Sequence, residues 1–160
     1  MMPVPDRHSL RWQPRWTTFG PHSMARYKLD LQPDPEVVVV GISSHVKDHR
    51  LCWSINRSLG LLLTRRRTPL SEVVAGRTLS YRAYDHVVEG NAGRFTLVNN
   101  HCADGCFLKE QRQTDYFLVV DRELAQQQPD LLDRLRATDH VLTAFIVPYE
   151  QLKEGYKLLQ

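Results

Sequence analysis

The segment 41–60, GISSHVKDHRLCWSINRSLG, concentrates the side chains with chemical capacity: His45, Asp48, His49, Cys52 and Asn56 at near-helical spacing. His45, His49 and Cys52 stand at i, i+4 and i+7, which sets three zinc-type donors along one flank of a helix. Cys102 and Cys106, in HCADGC, would complete a coordination sphere. Against a metal, the chain has neither CxxC nor HExxH. A Cys–His nucleophile is the second chemistry. Cys52 falls mid-helix on the core side, whereas activated thiols favour helix N-termini and partial exposure. The third reading is a structural network. Asp48 near the positive end of the helix accepts bonds from neighbours, and Asn56 ties the helix to a strand edge. No catalytic residue, cofactor or metal ligand is assigned on these grounds, and the structural network is the reading carried forward.

At about 100° per residue, Leu51, Cys52, Ile55 and Leu59 fall on one arc of this helix, the core side, with Asp48 inside it. His45, His49 and Asn56 take its flank. Lys47, Arg50, Ser54 and Arg57 take the opposite side. With the run Arg65, Arg66 and Arg67 close behind, Lys47, Arg50 and Arg57 make a basic patch suited to RNA or an acidic protein surface.

Positioning these residues needs a sheet. VVVVGIS, 37–43, is apolar on both faces and belongs in the middle of one. RYKLDL, 26–31, alternates, and the short turn QPDPE predicts a hairpin with 37–43. The helix after 43 is expected to be capped by Ser44 or His45 and to end at Gly60. LLLTRR reads as a strand and TPLSEVVAG as a loop with one helical turn. TLSYRAYDHVV and RFTLVNN read as a hairpin through EGNAG, and HCADGCFLKEQRQ as an irregular connection. TDYFLVVD is a strand. QPDLLDRLRAT is a helix with Pro129 in its first turn, and HVLTAFIVP is a strand. YEQLKEGYKLLQ is a last amphipathic helix with Leu152, Tyr156 and Leu159 on one side. The expected architecture is α+β: a single domain, a mainly antiparallel sheet with two or three helices packed on it, and a C-terminal half partly ferredoxin-like.

That domain is expected over 24–160. A disordered, basic, Pro-containing tail over 1–23 precedes it, and Met24 is a candidate start. The formal charge is +3, and Arg7, Arg11 and Arg15 against Asp6 place most of it in that tail. The longest apolar run, EVVVVGI, is too short for a membrane helix, and the N-terminus has no secretory h-region. Three cysteines cannot all pair within one chain and suit a reducing compartment, so the cytoplasm is expected.

GISSHVKDHRLCWSINRSLGL resembles the signature segment of the IPExxxVDY family of uncharacterised bacterial proteins. LKEQRQTDY resembles the segment that gives the family its name. Glu110, Asp115 and Tyr116 match, Leu108 is conservative, and Lys109 and Thr114 depart from it. The similarity spans roughly 25–155. It implies structural roles for Ser44, His45, Asp48, Cys52, Trp53, Asn56, Glu110, Asp115 and Tyr116, and implies no activity or cofactor. For the second segment, a structural pairing of Asp115 or Glu110 with Arg50 or Lys47 is expected rather than a paired-carboxylate acid/base site.

The function expected from the sequence is therefore a non-enzymatic protein-binding or adaptor module, docking a partner protein at an apolar sheet edge or the C-terminal helix. The alternative is an RNA-associated factor using Lys47, Arg50, Arg57 and Arg65–Arg67 on phosphates. The third is a small metal-binding protein, and no membrane partner is expected.

Overall fold

The computed structural model describes residues 35–160, so the tail expected at 1–23 and the strand expected at 26–31 lie outside the described residues. Four consecutive valines open β1, Val37–Ser43, whose side chains are shielded on both faces of the sheet. The chain continues through α1 (Asp48–Leu59), β2 (Thr64–Arg65), β3 (Leu70–Val74), β4 (Arg77–Tyr81), β5 (Ala83–Val87) and β6 (Arg94–Asn99). It then forms β7 (His101–Cys102), β8 (Gly105–Cys106), β9 (Tyr116–Asp121), α2 (Arg122–Gln127), α3 (Leu131–Arg136) and β10 (Thr143–Val147). Short 3-10 turns close the chain at Tyr149–Gln151 and Gly155–Leu159.

The main sheet has six strands in the order β10-β1-β9-β6-β5-β2, every neighbouring pair antiparallel. β1 lies between β9 and β10, which therefore run parallel to each other on its two sides. This makes β9 to β10 a strand–helix–strand unit split by an antiparallel strand, as in half of a ferredoxin-like unit, with the inserted strand drawn from the N-terminal β1. Both edges of β1 are taken, one by β9 and the other by β10. Residues 35–160 form one α+β domain.

Side chains alternate across the sheet and feed two cores. On one face, Val40, Ile42, Leu97, Leu118 and Val120 meet Leu51 and Ile55 of α1, Leu124 of α2 and Leu135 of α3. On the other, Val39, Val98 and Phe117 meet Leu70 and Tyr81 of the β3–β4 hairpin, Phe107 and Leu108, and Leu152 and Leu158 of the closing turns. Each such buried aliphatic or aromatic side chain contributes about 1.5–3 kcal/mol of transfer free energy.

Several expectations are corrected. TPLSEVVAG is a strand, β3, hairpinned to β4 through Ala75 and Gly76, with φ of 49° and 77°. A two-residue turn of this hand normally advertises itself with Asn, Asp or Gly at its first position, and alanine hides it. TLSYRAYDHVV breaks at Arg82, because β4 belongs to the small hairpin and β5 to the main sheet. LLLTRR pairs only at Thr64 and Arg65. HCADGC folds into the small β7–β8 hairpin. Pro129 precedes α3 and does not lie in its first turn. The last segment is 3-10 turns, so the 3.6-residue stripe fails. Leu152 is buried, Tyr156 and Leu159 are exposed, and Lys157 and Leu158 face inward. Gly155 permits this, since a Cβ there would sit 2.9 Å from the Tyr149 ring and 3.0 Å from Leu152.

Candidate functional site

α1 begins at Asp48, with Lys47 at the N-cap making no side-chain cap bond. Ser44 and His45, the expected caps, lie before it. Gly60 ends the helix as expected, in the left-handed region at φ 67°. Leu51, Cys52, Ile55 and Leu59 are buried in the expected arc. Ser54, expected outside, is buried as well, and its hydroxyl has no partner among the described residues. Here α3 and the turn after it supply a second contact face: Arg134 Nη2 donates to Ser58 O at 2.8 Å and Thr138 Oγ1 to Ser58 Oγ at 2.8 Å.

Asp48 is buried under the helix. Its Oδ2 accepts from the Tyr84 hydroxyl at 3.0 Å, and Arg82 Nη1 lies 3.3 Å from both carboxylate oxygens. Burial alone would raise the Asp48 carboxyl, but the bonds from Tyr84 and Arg82 hold it below the ordinary carboxylate range. Tyr84 is pushed up to about 12 by burial and by its bond to Asp48. Beside them Tyr116, pushed up to about 12 by burial, donates its hydroxyl to Val46 O at 2.8 Å. Asp115 Oδ2 accepts the Ser44 N–H at 2.9 Å, and the Asp115 N–H donates to Ile42 O at 3.0 Å.

Ser44, Asp48, Asp115 and Tyr116 are thus gathered at one end of the sheet, where β1 leaves for α1 and β9 begins. The expected pairing of Asp115 or Glu110 with Arg50 or Lys47 does not form. Lys47 and Arg50 are exposed, Asp115 holds backbone, and among the described residues Glu110 Oε1 accepts the Glu154 N–H at 3.3 Å. The buried cluster takes its cation from Arg82, which no periodicity singles out because it sits between two strands.

Asn56 ties the helix to the edge as expected. Its Oδ1 accepts the Leu63 N–H at 2.8 Å and its Nδ2 donates to Leu63 O at 3.2 Å, just ahead of edge strand β2. Cys52 is buried against the same turn, and burial pushes its thiol up to about 11, the reverse of an activated nucleophile. The five donors of the metal reading are not assembled. His45 and His49 are exposed, Cys52 belongs to the helix-side core, and Cys102 packs against the other core. Among the described residues no group of three or more His, Cys, Asp and Glu is placed to hold a metal.

Two polar centres escape the sequence reading. Asn100, fully buried, accepts the Leu108 N–H at 2.8 Å and donates to Gln111 O at 2.9 Å and Thr114 O at 2.8 Å, so one amide organises the whole loop before β9. Lys157 is buried on the hairpin side, its Nζ 2.6 Å from Glu72 Oε2 and 3.1 Å from Glu154 Oε2. The Tyr81 hydroxyl completes that group by donating to Glu72 Oε1 at 3.3 Å.

The basic patch divides. Lys47, Arg50 and Arg57 are exposed on the outer face of α1, and Arg57 stacks over the exposed Trp53 ring, 5.4 Å from its centroid. Arg65 lies on the side of Tyr84, close enough to favour that phenol's ionised form, and Arg65 and Arg67 are exposed. Arg66 is lost to the patch. It pairs with Asp85 on the opposite face and donates to Gln160 O at 2.7 Å. At the far side of the sheet, the outer edge of β10 pairs with no described strand, and Leu142, Phe145 and Ile146 beside it are exposed. No described helix is long and apolar enough to cross a membrane. Neither a protein-family model nor a curated protein matches this chain.

Proposed function

We propose that this chain is a non-enzymatic binding module of the cytoplasm, related to the IPExxxVDY proteins, whose outer α1 face takes an acidic protein partner. The observation that carries this is Trp53, 58% exposed on a surface shared with Lys47, Arg50 and Arg57. A large exposed aromatic among arginines is the composition of interface hot spots, and the cations select a partner with carboxylates around an apolar contact. The polar groups on the inner side of α1 are committed to structure. Asp48 and Asn56 are engaged in holding the helix, and the Cys52 thiol is far from ionising. Three free cysteines fit the reducing compartment.

An RNA-associated factor is the second reading, favoured by the same Trp53–Arg57 stack, because bases stack on exposed aromatics flanked by cations. Capture from native lysate by the tagged chain, with and without nuclease, separates them. Nuclease-resistant capture of a protein, lost on R50E/R57E and on Trp53→Ala, supports the protein-binding reading. Capture abolished by nuclease moves the face to RNA, and capture indifferent to all three substitutions rejects the face altogether.

A further inference from the structure

A cavity of about 360 Å³ opens beside the Arg82 corner, away from the outer face of α1. Strand periodicity builds its wall. Thr78, Ser80 and Arg82 follow at i, i+2 and i+4 along β4 and its exit, and Asn99 and His101 follow at i and i+2 along the end of β6 and into β7. The Asn99 N–H donating to Arg82 O at 2.9 Å holds the two stripes together. Asp104, in the β7–β8 turn, lines it as well.

Two features distinguish this hollow from ordinary surface. Arg82 is held from behind: its Nη1 is committed to the buried Asp48, while its remaining guanidinium N–H groups make no hydrogen bond to a described residue. Its side chain is half exposed. Thr78, Ser80, Asn99 and His101 likewise spend no side-chain hydrogen bond on a described residue, although each lines the same hollow. The lining therefore includes a cation held by Asp48, two hydroxyls, an amide, an imidazole and the carboxylate of Asp104. A second cavity of about 560 Å³, which shares Leu79, His101 and Asp104 with the first, adds the cations Lys109 and Arg112.

We infer that this cavity binds a small phosphate monoester bearing hydroxyl groups. Several donors carried on two strands suit the several acceptor oxygens of a phosphate, which a planar carboxylate cannot engage from as many sides. Asp104 opposes a bare anion and suits a ligand whose hydroxyls it can accept from. The inference does not depend on the α1 face, which lies elsewhere on the molecule.

Calorimetric titration of the full chain with glycerol 3-phosphate, inorganic phosphate, glycerol and glycerate tests it. Glycerol 3-phosphate should bind with a dissociation constant of about 1 mM or tighter, ahead of inorganic phosphate, with glycerol and glycerate much weaker. Arg82→Lys keeps a charge for Asp48 but loses the free fork, and should weaken binding by roughly tenfold. Ser80→Ala should weaken it by about fivefold, the value of one neutral hydrogen bond. Asp104→Asn should strengthen inorganic phosphate and narrow the advantage of glycerol 3-phosphate over it. Should Arg82→Lys fail to fold, Ser80→Ala and His101→Ala carry the test, since both residues are exposed. No binding at about 10 mM, equal binding of glycerate, or affinity unchanged in Ser80→Ala and His101→Ala together would overturn the assignment.

Discussion

The two faces of the sheet each bury an ionic cluster around a tyrosine, and they are built the opposite way round. Under α1 the buried member is an acid, Asp48, and its cation Arg82 reaches half into solvent. Under the closing turns the buried member is a base, Lys157, and its acid Glu72 is nearly as enclosed. Burial alone would lower the Lys157 ammonium, but the bonds to Glu72 and Glu154 lift it above the usual lysine value. A pair with one member in water loses little solvation and can rearrange. A pair buried at both ends has exchanged its water for its partner. The Lys157 cluster is accordingly a fixed strut between the β3–β4 hairpin and the chain's last turn, whereas Arg82 retains donors for something else.

The largest expected effect breaks the strut. Lys157→Ala leaves Glu72 enclosed without its cation and should cost about 3–5 kcal/mol in chemical denaturation. Asp48→Ala should cost less, about 1–3 kcal/mol, because Arg82 falls back on solvent and chiefly the Tyr84 hydroxyl is stranded. If Asp48→Ala proves the costlier of the two, the contrast between the faces is wrong.

A pH profile of stability sharpens the same contrast. Asp48, like Asp85 beside Arg66, is depressed in the folded state, so its contribution is present above the unfolded aspartate value of about 3.9 and is lost as pH falls through the folded value. Lys157 is raised, so its contribution is complete below the unfolded lysine value of about 10.4 and is lost as pH rises through the folded one. Asp48→Asn should flatten the acid limb and leave the alkaline limb, and Lys157→Met should do the reverse. The smallest effect belongs outside both clusters. Arg50→Glu, on the solvent face of α1, should shift stability by about 0.5 kcal/mol or less, and a larger loss would mean that Arg50 has a structural partner.

The inner face of α1 was legible because its side chains obey one period against one sheet: Leu51, Ile55, Asp48 and Asn56 take the expected places. Ser54 did not, because α3 packs against α1 from the side, a contact that no pattern within the helix encodes. Arg82 and Lys157 were hidden for a related reason. Each reads locally as an ordinary surface cation, and each finds its acid far along the chain, at Asp48 and at Glu72. The expected cation for Asp115 is not found because its carboxylate is taken by the backbone N–H of Ser44, a donor that no side-chain pattern encodes.

β1 occupies the slot between β9 and β10, and over a hundred residues of chain separate Val40 from its partner Ile146. This pairing carries a kinetic consequence. An early strand with an apolar surface on both faces must wait for the last strand before its second edge is satisfied, and the loop to be closed is nearly the whole domain. Contacts of such separation slow folding, since their closure entropy is spent before they return any stability. During synthesis the valine run 37–40 is therefore a strand without its final neighbour until the chain past Val147 has cleared the ribosome, the interval in which this molecule is most open to mispairing.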